Sequence, residues 1–348
     1  MSASTAPKLS VLDLAIVGEG SSHAESLSNS VDLARAVERL GYHRHWVAEH
    51  HNMPGIASSA PAVLAATLAA ETEVLRIGSG GVMLPNHAPL VVAEQFGMLE
   101  ALHPGRIDLG IGRAPGADQI TAAALRRSHD PLSDDEFPRH FMELIGFFKG
   151  EFPDNHPYNQ ITAVPGCGDM PEVWLLGSSG YSAQLAGMLG MPFSFAHHFM
   201  PRNTDAALQL YREHFQPSEY LDEPYTMVAC AAIAAGDDER ARYLSRPAKL
   251  SMARLRAGQP TRFPTPEEAA EHEFSPREEQ SISALSGSAA IGGPEAVKAK
   301  LDELAERTRA DELMITTMVH DHADRIRSYE LIAELYELDQ PQLAAAYS

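Results

Sequence analysis

The chain has 348 residues, of which 44% are hydrophobic, and a formal net charge of -20. That is enough apolar material for a sizeable core, while the acid excess repels phosphate backbones and sets nucleic acid aside as a partner. The two cysteines, Cys167 and Cys230, supply neither a disulfide framework nor a zinc-binding spacing.

In chain order, the N-terminal stretch MSASTAPKLSVLDLAIVGEG has one lysine and only a short apolar run. It lacks the features of a secretory signal, and no later apolar run approaches the ~20 residues of a membrane span. A soluble, cytoplasmic protein that does not engage membranes is expected. LSVLDLAIV (9–17) reads as a buried strand, followed by a helix over 24–42 with an apolar stripe and Gly41 as its stop. HWVAEH forms a second strand, 58–72 a helix, LRIGSGGVML (75–84) a third strand, 88–103 a helix and RIDLGIGR (106–113) a fourth strand. Residues 114–135 read as loop with some helical character, and 137–150 as a helix. Strands five to seven follow at 172–179, 193–199 and 225–235, with helices at 181–191 and 203–216. The stretch 238–258 is helical with a break at Pro247. Helix 293–308, strand eight at 311–319 and helix 322–337 close the chain.

The strands are apolar nearly throughout, as parallel strands covered on both faces are. Eight βα units predict a single (β/α)8 barrel spanning 1–348; a doubly wound sheet with an added domain is the alternative. The polar, proline-interrupted segment 259–290 reads as an insertion, either a lid over the barrel mouth or a surface excursion.

Barrel chemistry sits at the C-terminal ends of the strands. The predicted ends carry Glu49-His50-His51, then SGG (79–81) with Asn86-His87, then Arg113, Ser178-Ser179, His197-His198 and His320. His43 and His45 lie on one face at the opposite end of strand two and read as structural. His50 and His51 are adjacent, so a strand would turn them to opposite faces; His197 and His198 share this defect as metal ligands. A metal-dependent hydrolase is therefore the weaker reading, and no metal is expected. GSSGYSA (177–183) joins strand five to a helix. Its glycines, its serine hydroxyls and the free N–H groups of the helix start suit one terminal phosphate, which Arg113 would clamp; a serine cap with a tight turn is the plain alternative. GIGRAP (110–115) fails the dinucleotide pattern at Pro115, and no triphosphate loop, nucleophile elbow or triad occurs. The glycines of GSGG (78–81) permit either close approach of a flat ring or a bend in the strand.

Several ordered pieces resemble the bacterial luciferase-like, flavin-dependent monooxygenases, which are (β/α)8 barrels. They are WVAEHHNMPG, IGSGGVMLPNHAPLVVAEQFGMLEALHPGRIDLGIGRAPG, LLGSSGYSAQLAGMLGMPFSFAHHF, IGGPEAVKAKLDEL and ADELMITT, which together span nearly the whole chain. The resemblance implies FMN, usually received in its reduced form from a separate flavin reductase, and O2 as oxidant of a small organic substrate of aldehyde, alkane or sulfonate type. It makes His50 the active-site histidine, Arg113 the arginine on the FMN phosphate, and Ser178, Ser179 and Ser182 the phosphate loop. Gly80 and Gly81 then lie beside the flavin ring, often through a non-proline cis peptide, with Glu49 and His51 as supports of His50. It further implies a homodimer through the helices after strands two and three. The Gly-Gly dipeptide stands where relatives carry side chains, and the loop 112–125 differs from the light-emitting members, so bioluminescence is not expected. A flavin-binding protein without turnover is the remaining alternative to an enzyme.

Overall fold

The computed structural model describes residues 6–114, 116–126 and 136–343. Nine parallel strands are present: β1 Lys8–Asp13, β2 Arg44–Val47, β3 Arg76–Met83, β4 Ile107–Gly112, β5 Glu172–Gly177, β6 Phe193–Ala196, β7 Thr226–Ala234, β8 Ala290–Gly292 and β9 Glu312–Thr316. Eight of them run in the order β6-β5-β4-β3-β2-β1-β9-β7, and β6 pairs with β7 to close the barrel. The expected (β/α)8 barrel is the fold observed. β8, which was not expected, pairs only with the end of β7.

Side-chain alternation builds two layers. Val11, Val47, Ile77 and Leu109 face outward into the main core beneath the helices. Leu12, Trp46, Trp174, Met227 and Met314 face inward and fill the barrel. Below them, the first residues of the strands form a charged floor. Arg44 donates to Glu312 at 2.9 Å and to Asp108 at 2.8 Å. Arg76 reaches Asp108 and Glu172. The indole N–H groups of Trp46 and Trp174 donate down to Asp108 and Glu172 at 2.8 and 2.7 Å, and the two rings meet edge-on.

All eight expected strands stop one to four residues before the sequence pattern does, because their C-terminal residues leave the ladder to form the rim. β2 ends at Val47, so strand alternation does not govern His50 and His51 as expected. The helix Asp238–Arg256 runs through Pro247 without the expected break. Pro247 removes one backbone bond, but its ring is buried and the helix continues on both sides. Residues 127–135, within the expected 114–135 loop, lie outside the described residues; Gln119–Arg126 before them is helical. The segment 259–290 holds helices Pro266–Glu271 and Pro276–Ser286. It crosses the barrel mouth. Phe263 donates to Val17 and accepts from Glu19 through its backbone, at 2.9 and 2.8 Å.

Candidate active site

A cavity of about 1000 Å³ opens at the C-terminal end of the barrel. All seven residues singled out from the sequence line it: His50, Gly80, Gly81, Arg113, Ser178, Ser179 and Ser182.

The β2 exit is organised around the fully buried carboxylate of Glu49. It accepts from His51 Nε2 at 2.9 Å, from His87 Nε2 at 2.9 Å and from the Met83 N–H at 3.0 Å. These ties join the turns after β2 and β3. Against the pull of burial, they hold Glu49 below its ordinary range. His51 is thereby turned to Glu49. The backbone of His50 donates to Ser58 at 2.9 Å, and its ring lines the cavity. His50 Nδ1 is buried without a partner. Burial lowers the His50 pKa to about 4 against a smaller opposing effect of Glu49, so the ring is neutral at pH 7.

The Gly80–Gly81 peptide is cis. Gly81 is demanded by backbone, while Gly80 faces a side chain that can shift. A Cβ on Gly81 would lie 2.6 Å from the Gly110 carbonyl oxygen, and one on Gly80 would lie 2.8 Å from Leu12. Arg113 leaves β4 with its guanidinium over the Tyr181 ring at 4.6 Å. Among the described residues it has no carboxylate partner. Ser179 caps the helix Gly180–Met188 in extended conformation, but its hydroxyl makes no capping bond. The hydroxyls of Ser178, Ser179 and Ser182 likewise have no hydrogen-bond partner among the described residues. One guanidinium, three uncommitted hydroxyls and a helix N-terminus thus share one end of the cavity, a combination suited to a terminal phosphate.

The other histidines go to different surroundings. His45 is buried 3.6 Å from Asp13, and His43 lies 3.5 Å from Lys8, at the far end of β2. His197 turns outward, with Nδ1 2.8 Å from Thr204 Oγ1, and His198 turns inward to the cavity. Among the described residues no group of three or more His, Cys, Asp or Glu is placed to hold a metal ion. Sequence reasoning noted His198 only as a strand end and did not identify the wall formed by the Asp238–Arg256 helix, where Arg242, Lys249 and Met252 line the cavity.

The model of the luciferase-like monooxygenases matches residues 8–312. This chain belongs to that family. It is 51% identical to the uncharacterized protein YvbT of Bacillus subtilis (strain 168), over 94% of this chain and 96% of that protein. A luciferase-like monooxygenase of Escherichia coli (strain K12) is 48% identical over the same shares. Among solved structures, apo-MsnO8 is 37% identical, with a TM-score of 0.85 over 96% of this chain and all of that one (100%). The cavity lies at the strand ends, the end of a (β/α)8 barrel that carries its chemistry.

Proposed function

We propose that this chain is an FMN-dependent monooxygenase. The carrying observation is the phosphate-shaped end of the cavity: Arg113 without an acidic partner among the described residues, and three serine hydroxyls without protein partners beside a helix N-terminus. In a molecule with net charge -20, an uncommitted guanidinium facing a cavity supports an anionic ligand. Arg113, Ser178, Ser179 and Ser182 would hold the phosphate, and Gly80 and Gly81 would border the ring. Reduced FMN, supplied by a separate reductase, provides the electrons that place one atom of O2 in an organic substrate and the other in water. His50, neutral and held by its backbone bond to Ser58, would accept or return a proton at Nε2 beside the reacting groups. The strap at 259–290, whose Phe263 lines the cavity, would keep water from the reaction. A homodimer is supported by the exposed Val63, Val91, Met98 and Leu102 on the helices Pro61–Ala70 and Pro89–Leu102.

The test is anaerobic titration of the purified protein with FMN and with chemically reduced FMN. Saturable binding of reduced FMN at micromolar concentration is expected. Failure to bind either form at high micromolar concentration would overturn the proposal. Oxygen uptake by the reduced-FMN complex, measured over a panel of aldehydes, alkanes and sulfonates, separates an enzyme from a protein that only stores flavin.

A further inference from the structure

The cavity is larger than its phosphate-binding end needs. Single small-molecule sites occupy roughly 300–1,000 Å³, and this one, at about 1000 Å³, stands at the large end of that range. The barrel order divides it. β3, β4 and β5, which carry the residues assigned to FMN, are adjacent strands. β6, β7 and β9 follow β5 around the barrel and line the next part of the cavity, with β1 and β2 between β9 and β3. There, the side chains of Ala196, Ala229 and Ala231 stop at Cβ and leave space. Met252 from the Asp238–Arg256 helix and Phe263 from the strap contribute further apolar wall.

Within this apolar half, His198 is held in one orientation. Its Nδ1 lies 3.0 Å from the Ala229 carbonyl oxygen, which accepts, so Nδ1 carries the proton. Its backbone N–H donates to the same carbonyl at 3.0 Å. The ring also packs on Phe199, with centroids 4.3 Å apart. Nε2 is therefore left with its lone pair. It has no partner among the described residues and is not among the buried, partnerless side-chain atoms, so it is open to the cavity that His198 lines. Burial holds the ring below its ordinary pKa, so Nε2 stays an acceptor at pH 7. On the outer wall, Lys249 pairs with Glu279 at 2.7 Å, and Arg242 is exposed to solvent.

We propose that the β6–β7–β9 half of the cavity is the organic substrate's site and that His198 Nε2 is its fixed hydrogen-bond acceptor. The substrate is then a neutral, largely apolar molecule that presents one O–H or N–H donor. A carboxylate at the same point would face a lone pair. The assignment of this half to the substrate rests on the flavin reading of the other half; the acceptor itself does not.

The experiment titrates the protein into 2-naphthol, its donor-free ether 2-methoxynaphthalene and the anion 2-naphthoate, following naphthalene fluorescence with and without FMN. Wild type is expected to bind 2-naphthol at least tenfold more tightly than either of the other two. His198→Leu should shrink that discrimination to within threefold. His198→Gln, whose amide oxygen also accepts, should keep most of it. FMN affinity, measured in the same samples, should stay within about threefold of wild type in both variants and so reports an intact barrel. Absence of 2-naphthol binding, equal affinity of wild type for naphthol and ether, or discrimination that survives His198→Leu would each overturn the proposal. Loss of FMN binding with intact naphthol discrimination would sink the flavin reading alone; intact FMN binding without discrimination would sink this one alone.

Discussion

Arg113 and His50 show how single side chains betray a site by what they leave unused. In a chain rich in carboxylates, an arginine at a strand end ordinarily finds a salt bridge. Arg113 instead rests on Tyr181, with no acidic partner among the described residues. A charge-assisted contact to phosphate is worth about 1.5–3 kcal/mol. Arg113→Ala is therefore expected to weaken FMN binding by roughly ten- to 150-fold in a calorimetric titration, and unchanged affinity would remove Arg113 from the site. His50 keeps a buried Nδ1 without a partner. Such an atom costs the fold about 1–3 kcal/mol. His50→Leu is expected to raise the thermal midpoint while abolishing substrate-dependent oxygen uptake; a lower midpoint would mean that the ring is kept for packing. Both residues were legible in the sequence as polar side chains at the ends of apolar strands. The choice of His50 over His51 was not. It depends on Glu49 drawing His51 away, a contact made with groups 34 and 38 positions further on as well as with its neighbour.

At the level of elements, the periodicity of buried strands was enough to find eight βα units, because parallel strands under helices are apolar on both faces. It could not place their ends. β2 stops at Val47 although HWVAEH continues the pattern, since Ala48 to His50 bend away to border the cavity. The three-residue β8 was invisible, being too short to show a period. Pro247 misled for a related reason: a proline's lost N–H is tolerated where the surrounding helix is packed. The glycines of β3 were read as a place for a ring to approach or for the strand to bend, and Gly81 also lies against the backbone of β4. Gly81→Ala would drive a methyl group to within 2.6 Å of the Gly110 oxygen. Overpacking of this kind costs about 1–3 kcal/mol. Thermal unfolding should detect the loss even without flavin; a variant as stable as wild type would show that β3 can yield.

For the molecule as a whole, pH dependence follows from its buried histidines. His43, His50 and His197 titrate near 6.5 when unfolded, and in the fold at about 3, 4 and 4, chiefly because burial disfavours their charged forms. Between those values the unfolded chain binds more protons, so stability rises with pH. The midpoint of unfolding should be level above about pH 7 and fall steadily as pH drops from 6.5 to 4; a flat profile across that window would contradict the burial of these rings. Asp13 and Glu49, both held below their ordinary range, add to the loss in acid, while Glu312, raised by its burial, opposes it. Arg44 anchors the charged floor. Replacing it with Met leaves Asp108 and Glu312 buried without their shared cation, which costs about 3–5 kcal/mol, readable as an earlier urea midpoint. That floor also sets the traffic of the molecule. With Arg44, Asp108, Glu312 and the two tryptophans filling the lower end, the cavity lies toward the strap that Phe263 fastens to the β1 loop. On the proposed function, the flavin, the organic molecule and the product would all pass the strap's end of the barrel.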